Sequence, residues 1–166
     1  QESESTDTLT KRLASLSLSP LKKHLHPSSP AITGASFLEA CTCAAEINQK
    51  TARLTADSHD FSDISLSFTQ KEGLLHYTLR GETCSIPFGL NTCVSGIFPI
   101  YNMHCASSGM WLSENTFYLK IHIIDTFVGS VHMEFVFGEK DVTIFMKKIE
   151  ETQFNEYAGH FYGIYR

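Results

Sequence analysis

The fold is decided by the stretch TFYLKIHIIDTFVGSVHMEFVF, residues 116–137. In its first part every second residue from position 117 to position 123 is large and apolar, and positions 131–137 repeat this pattern. A period of two is typical of a β-strand that buries one face and leaves the other in water. Residues 125–130 separate the two runs, so we predict an antiparallel hairpin.

The same two-residue rhythm continues on both sides of this hairpin. Turn-forming residues interrupt it at 70–73, 81–82, 113–115 and 138–140. The runs predict about eight strands at a spacing of roughly ten residues, as in an antiparallel up-and-down barrel or a sandwich. Consecutive hairpins favour the barrel, because closure removes exposed sheet edges. The residues predicted to face inward are Ile64, Leu66, Phe68, Leu75, Tyr77, Leu79, Phe117, Leu119, Ile121, Ile123, Val131, Met133, Phe135, Phe137, Val142, Ile144 and Met146.

The N-terminal part differs in composition. Residues 1–34 are rich in Ser, Thr and Pro, which predicts a linker, with a short helical turn at 8–16 that carries three leucines on one face. Residues 35–49 show an imperfect apolar face and could form a helix. We therefore divide the chain into a linker, 1–34, and a β-barrel domain, 35–166.

Charge and cysteine usage exclude several classes of protein. The formal net charge of −5 provides no basic field for nucleic acid, and no stretch reaches the ~20 apolar residues of a membrane span. Five cysteines, an odd number, and the lack of an Asn-x-Ser/Thr sequon favour a reducing, cytoplasmic location. Because the chain begins at Gln1 rather than Met, we expect it to be a piece of a longer protein.

No catalytic or metal-binding set is evident. Ser19 and Lys22 match Ser-x-x-Lys, in which Lys assists a Ser nucleophile, but they lie in the Pro-rich linker and no Tyr-x-Asn or Lys-Thr-Gly follows. The pairs Cys41-x-Cys43 and His24-x-His26 lack the second pair that a structural zinc site uses. We predict no catalytic residue, no metal and no cofactor in this chain.

Two groups of residues are candidates for binding. His122 and His132 share the polar face of the predicted hairpin with Lys120 and Glu134. This face could line the barrel mouth, dock on another domain, or be an ordinary solvated surface. The inward aromatic residues could line a ligand cavity or simply fill the core; these are Trp111, Phe117, Phe135, Phe137 and Phe145.

From these groups we select one candidate ligand-binding set for a small hydrophobic ligand: Trp111, Tyr118, His122, His132 and Phe135. A barrel enzyme acting through His104, His122 and His132 in the cavity is a third possibility.

Several short motifs resemble the β-lactamase-related serine hydrolases. The run KRLASLSL (11–18) resembles the Leu-rich connector that follows their catalytic domain. The runs IPFGL (86–90) and ASSGMW (106–111), with ENTF (114–117) just after, resemble parts of the small β domain beyond that connector. The strand pair described above and the final Ala158-Gly159 fit the same pattern.

The resemblance implies a lipocalin-like barrel that is the C-terminal accessory domain of such a hydrolase. Its partner would be the N-terminal serine-hydrolase domain of the same polypeptide, which would carry the Ser-x-x-Lys helix, the tyrosine motif and the Lys/His-x-Gly strand. This chain would pack on that domain and shape its active site without catalytic residues of its own. The alternative is a stand-alone lipocalin-like binder of a small hydrophobic ligand.

Overall fold

The computed structural model describes residues 42–55, 60–150 and 152–166, all of which belong to the unit Ile32–Arg166. One short helix precedes ten strands, and a 3-10 turn, Asn155–Tyr157, precedes the last strand. The elements are α1 (Thr42–Ile47), β1 (Thr51–Leu54), β2 (Phe61–Phe68), β3 (Glu72–Leu79), β4 (Glu82–Leu90), β5 (Val94–Phe98), β6 (Met103–Ser113), β7 (Thr116–Ile124), β8 (Val128–Phe137), β9 (Asp141–Ile149) and β10 (Gly159–Tyr165).

The strands form one sheet that closes on itself. Neighbours along the chain pair antiparallel from β1 to β4 and from β5 to β10, and β1 pairs with β10. The ring closes where the end of β4 runs parallel to β6, with Gly89 opposite Ser108 and Leu90 opposite Gly109. The strand β5 pairs with the remaining part of the same β6 edge, so every strand except β5 belongs to the closed ring. The mainly β, up-and-down barrel predicted from the sequence is confirmed.

Two strands exceed the number predicted from periodicity. β1 has 4 residues and β5 has 5, which is too short for an alternating pattern to stand out from its surroundings. Of the helix predicted at 35–49, the structure describes α1 alone, because residues 35–41 lie outside the described ranges. The predicted linker 1–34 and its helical turn also lie outside them.

The interior is apolar and follows the predicted parity. All seventeen residues that periodicity assigned to the inward face are buried; these are Ile64, Leu66, Phe68, Leu75, Tyr77, Leu79, Phe117, Leu119, Ile121, Ile123, Val131, Met133, Phe135, Phe137, Val142, Ile144 and Met146. Burial of such side chains stabilises the fold by about 1.5–3 kcal/mol each. The buried face is therefore the main source of the barrel's stability.

Two glycines leave room for aromatic rings to pack directly against the sheet backbone. A Cβ at Gly73 would lie 2.3 Å from Cζ of Phe88, and one at Gly109 would lie 2.3 Å from Cζ of Phe117. Each ring thus occupies the space above a strand residue that has no side chain. Phe88 and Phe117 contact each other with ring centroids 5.4 Å apart, so the two glycines together admit one aromatic cluster.

The two ends of the barrel are closed differently. At one end α1 buries Ala44 and Ile47, and Asn48, directly after the helix, accepts the Phe68 N–H on its Oδ1, 2.9 Å away. At the other end residues 152–157, here called the plug segment, bury Phe154 and Tyr157. No helix among the described residues has the length and apolar character needed to cross a membrane.

Candidate functional site

A pair of tyrosine hydroxyls lies inside the barrel near the plug segment. The hydroxyl oxygens of Tyr77 on β3 and Tyr157 are 2.8 Å apart, and either can donate to the other. Both side chains are buried. Burial, followed by their mutual interaction, raises the pKa of Tyr77; burial likewise raises the pKa of Tyr157. The pair therefore stays neutral. One hydroxyl proton is used between the two rings, and the Tyr77 hydroxyl also interacts with the neighbouring thiol of Cys84.

Other polar atoms inside the barrel are few. Ser107 on β6 is fully buried, with its Oγ 4.0 Å from the Sγ of Cys105. Burial is the main cause that raises the pKa of Cys105 and of Cys84, which lies opposite Tyr77. The interior thus carries hydroxyl and thiol groups in their neutral forms.

No cation is buried among the residues that the structure describes, although the exposed Lys50 borders the small cavity beside α1. Within the described ranges the buried polar or charged residues are Ser107, Ser130 and Glu156, and none of them is a cation. Lys148 follows the inward parity of β9, but its ammonium donates to the carbonyl of Gln153, 2.6 Å away, and to Asn155 Oδ1. An anion beside the tyrosine pair would therefore have no buried cation among the described residues as a partner.

The plug segment fills its end of the barrel with aromatic rings. Phe154 packs edge-on against Tyr101 and Phe98, with ring centroids 4.7 and 5.3 Å apart. Its backbone is left-handed, with φ 59° and ψ 31°, a conformation that costs a residue with a Cβ about 1–2 kcal/mol. The Tyr101 hydroxyl donates to Glu156 Oε1 at 2.7 Å, which helps to hold the segment in place.

Space inside the described barrel is very limited. A cavity of about 10 Å³ lies beside α1 and is bordered by Ile47, Leu66, Phe135 and Tyr165, and this volume holds at most one water molecule. Larger concavities lie on the surface, such as one of about 560 Å³ above the plug segment, bordered by Arg80, Tyr101 and Glu156. Among the described residues, the inward aromatic rings pack against one another and occupy much of the interior.

The candidate ligand-binding set predicted from the sequence is divided between two faces. Trp111 and Phe135 face inward, and both belong to the aromatic cluster around Phe117. Tyr118 and His132 face outward, where the Tyr118 hydroxyl and His132 Nδ1 lie 2.5 Å apart. His122 faces outward as well, opposite Ser130 and one pair along from Lys120 and His132. The five residues do not line one cavity, because strand parity separates them.

Two further expectations are wrong for the same reason of parity. His104, His122 and His132 do not share the interior: each alternates with a buried neighbour and lies on the outer face. Phe145 does not line the interior either. It alternates with Ile144 and Met146 and is 38% exposed.

Most residues of the other candidate motifs lie outside the part of the chain that the structure describes. Ser19, Lys22 and the pair His24-x-His26 lie outside the described residues, as does Cys41 of the Cys-x-Cys pair. Within residues 42–55, 60–150 and 152–166, no three His, Cys, Asp or Glu side chains converge as metal ligands would.

Sequence reasoning did not identify the tyrosine pair or the plug segment. Tyr77 was assigned to the inward face, and its hydroxyl could have indicated a buried partner. Tyr157 carried no signal, because it lies in a short irregular segment without alternation.

Comparison with solved structures places the fold in the class of closed barrels that includes fatty-acid-binding proteins. The fatty acid-binding protein from brain tissue of Drosophila melanogaster matches with a TM-score of 0.51 and 11% identity, over 72% of this chain and 98% of that one. A structure described as the REP1-NXSQ fatty acid transporter matches with a TM-score of 0.51 and 8% identity, over 74% of this chain and 96% of that one. No family model and no curated protein matches the chain.

At this level of identity the likeness establishes the fold and nothing further. The resemblance to β-lactamase-related hydrolases is not tested by these comparisons and stays a prediction.

Proposed function

We propose that this chain is a carrier or receptor for a small, uncharged hydrophobic molecule that bears one hydroxyl or carbonyl group. The observation that carries the proposal is the tyrosine pair, Tyr77 and Tyr157, in an otherwise apolar barrel. An apolar lining with a few convergent polar groups is the usual composition of a small-molecule site. The two matched barrels of the same fold, named for fatty acids, support a small hydrophobic ligand in general; its lack of charge is argued from the inner surface of this chain.

The charge of the ligand follows from what the inner surface lacks. A carboxylate inside would lose its hydration without meeting a cation, and burial of an unpaired charge is very costly. A neutral carbonyl or hydroxyl oxygen needs one donor. The pair would supply it by turning the hydroxyl proton that is not used between the rings from Cys84 towards the ligand. We therefore expect an alcohol, aldehyde or ester to bind better than a fatty-acid anion.

Entry requires that the filled interior opens. The plug segment is the candidate gate, since its residues Phe154 and Tyr157 occupy one end of the barrel. Tyr157 is also a member of the tyrosine pair. Phe154 has a strained backbone, and the side chains that hold the segment, Tyr101 and Lys148, lie at its rim. If the open state is a minor population, the measured affinity falls by that fraction.

The test is a displacement assay with the purified full chain. The neutral fluorophore N-phenylnaphthylamine serves as the probe, and dodecanol and dodecanoate compete for it at neutral pH. We expect saturable binding of the probe and displacement by dodecanol at concentrations at least about 10-fold below those needed with dodecanoate, which corresponds to about 1.4 kcal/mol. Phe154→Ala should tighten probe binding, because it removes part of the plug.

The role of the tyrosine pair is tested by one substitution and a matched control. Tyr77→Phe should weaken dodecanol about 5-fold, as expected for the loss of one hydrogen bond of about 1 kcal/mol. Tyr162→Phe removes a hydroxyl from the outer face, where it donates to Asp141 Oδ2 at 3.1 Å, and should leave binding unchanged.

Failure of both the native chain and Phe154→Ala to bind the probe would overturn the proposal.

A second function is supported by the filled interior itself. A barrel with an internal cavity of about 10 Å³ is suited to act as a rigid docking module, and the accessory domain of a serine hydrolase would be one. Four apolar side chains near the β7–β8 turn, Ile124, Phe127, Val128 and Ile149, are 41–80% exposed, which suits a partner surface. Absence of probe binding, together with a reading frame upstream of Gln1 that encodes Ser-x-x-Lys and Tyr-x-Asn, would favour this function.

A further inference from the structure

The outer face of β7, β8 and β9 places three basic side chains in one cross-strand row. Lys120 lies directly opposite His132, and His132 lies directly opposite Lys147. Adjacent strands are about 4.8 Å apart, so the two lysines flank the histidine at a spacing that their long side chains can span. When His132 is protonated, like charges lie directly opposite each other, which destabilises a sheet. The chain as a whole is acidic, with a net charge of −5. This grouping of basic side chains is therefore better suited to binding an anion than to stabilising the sheet.

His132 is held from both sides by hydroxyl groups. Its Nδ1 lies 2.5 Å from the Tyr118 hydroxyl and its Nε2 lies 2.9 Å from Ser130 Oγ. The ring is also edge-on to Tyr118, with centroids 5.8 Å apart. Both ring nitrogens are thus engaged, and the orientation of the ring is fixed.

Protonation of this histidine changes what the two hydroxyls can do. A neutral imidazole has one N–H and one acceptor nitrogen, so one hydroxyl must donate to it and the other keeps its proton free. An imidazolium donates from both nitrogens, so both hydroxyls become acceptors and both of their protons point elsewhere. Protonated His132 therefore offers the surface one more O–H donor, in addition to its own charge.

We propose that Lys120 and Lys147 form a binding site for a small oxyanion, such as a phosphate monoester, above His132. The hydroxyls of Tyr118 and Ser130 donate to the anion when His132 takes up a proton. This site lies on the outside of the barrel and does not depend on a ligand within it.

A groove beside the row provides room for the organic part of such a ligand. It has a volume of about 510 Å³ and is bordered by Tyr118, Glu134, Phe145, Lys147 and His160. Phe145 and His160 meet edge to face, with centroids 4.6 Å apart, and Phe145 is 38% exposed. An aromatic or aliphatic group attached to the phosphate would contact these rings.

The electrostatics of this face agree with an anion that binds together with a proton. Burial, then Lys120, His122 and Lys147 in that order, lower the pKa of His132. An anion would offset the charges of Lys120 and Lys147 and raise that pKa again. The carboxylate on this face, Glu134, lies two residue pairs along the strands, opposite Tyr118 and Phe145, and would oppose the anion. The titratable or polar groups that face His132 are Tyr118, Lys120 and His122 on β7, Ser130 and Glu134 on β8, and Lys147 on β9, with His160 on β10 beyond Phe145.

The test follows the imidazole of His132 by NMR while sulfate replaces chloride at constant ionic strength. Sulfate keeps its charge over the whole titration, so any change in pKa belongs to the protein. We expect sulfate to raise the pKa of His132 and to bind about 10-fold tighter to the protonated form for each unit of that rise. No saturable change at His132, Lys120 or Lys147 would overturn the proposal.

Substitutions separate a defined site from diffuse attraction. Lys120→Gln and Lys147→Gln should each raise the pKa of His132 in chloride and weaken sulfate, whereas Lys140→Gln, in the exposed β8–β9 turn, should do neither. Glu134→Gln should tighten sulfate. Tyr118→Phe should reduce the dependence of sulfate affinity on pH, and an unchanged dependence would refute the donor role of the hydroxyl.

The groove is tested with a larger anion. Phenyl phosphate should bind tighter than inorganic phosphate at the same pH, and Phe145→Ala should remove that difference while leaving inorganic phosphate unchanged. Equal affinities of the two anions for the native chain would exclude the groove from the site.

Discussion

The hydroxyl oxygens of Tyr77 and Tyr157 lie 2.8 Å apart inside the barrel, although the two residues are 80 positions apart in the chain. Tyr77 belongs to β3 and Tyr157 to the 3-10 turn ahead of β10. Their contact ties the first hairpins of the barrel to the segment that closes it. It also forms the polar centre of the proposed site, so it can be probed by both stability and binding.

Removal of one hydroxyl of this pair should destabilise the fold. Tyr77→Phe leaves the hydroxyl of Tyr157 in an apolar setting without its 2.8 Å partner, and we expect a loss of about 1–3 kcal/mol in the free energy of unfolding. The double variant Tyr77→Phe/Tyr157→Phe should lose less than the sum of the two single variants, because no hydroxyl is then stranded. Urea denaturation measures all three, and strict additivity would show that the two hydroxyls do not interact.

The glycine beneath Phe117 should be intolerant of a side chain. In Gly109→Ala the new Cβ would lie 2.3 Å from Phe117 Cζ and 3.1 Å from Phe88 Cδ2, and overpacking of this kind costs about 1–3 kcal/mol. Phe117→Leu in the same chain should recover part of that loss. Ser108→Ala, on the outer face of the same strand, is the control and should change stability by less than about 0.5 kcal/mol. Thermal or urea unfolding of Gly109→Ala at native stability would contradict this packing.

Stability at high pH should depend on tyrosines that must remain neutral. Burial, then its hydrogen bond to Glu156, raises the pKa of Tyr101 from 10.0 to about 12. Because the folded pKa is the higher one, the contribution is complete below pH ~10 and is lost as the pH rises towards ~12. Tyr77 and Tyr157 shift in the same direction.

We therefore expect the ultraviolet absorbance of tyrosinate to show ionisation of these residues only as the protein unfolds. Tyr101→Phe should reduce the loss of stability between pH ~10 and ~12. Ionisation of all tyrosines near pH 10 in a protein that is still folded would be inconsistent with the buried pair.

The plug segment should open without unfolding of the barrel. Amide hydrogens of residues 152–157 should exchange faster than those in the centre of β7 and β8, which are paired on both sides. Tyr101→Phe removes the donor to Glu156 and should accelerate exchange in the plug segment about 5-fold, as expected for about 1 kcal/mol. Exchange in β7 should stay unchanged. If the plug segment exchanged only through global unfolding, the proposed gate would be excluded.

Much of the architecture could be predicted because the burial pattern of a strand is visible in its sequence as an alternation of apolar and polar residues. Positions 117–123 and 131–137 alternate without interruption, and each inward residue among them is buried. The short strands β1 and β5 could not be predicted, since 4 or 5 residues do not establish a period. The same parity that predicted the core could have placed Phe145 outside, because Ile144 and Met146 were already assigned inside.

The candidate site was harder to predict because it depends on contacts between distant parts of the chain. The pairing of Tyr118 with His132 depends on the register of one hairpin, and the sequence correctly placed both His122 and His132 on one face with Lys120. The cross-strand row in which His132 lies between Lys120 and Lys147 also depends on the register of β8 against β9. A shift of one residue in either pairing would send these side chains to the opposite face.

The sequence by itself determined the longer strands, the turns between them and the face that each of these strands buries, because alternation is a local property that each stretch carries on its own. Closure through Gly89 and Ser108, the filling of the interior and the meeting of Tyr77 with Tyr157 were decided only by the tertiary structure. Each of these depends on how residues far apart in the chain share one limited volume, and the local period of two contains no information about that volume.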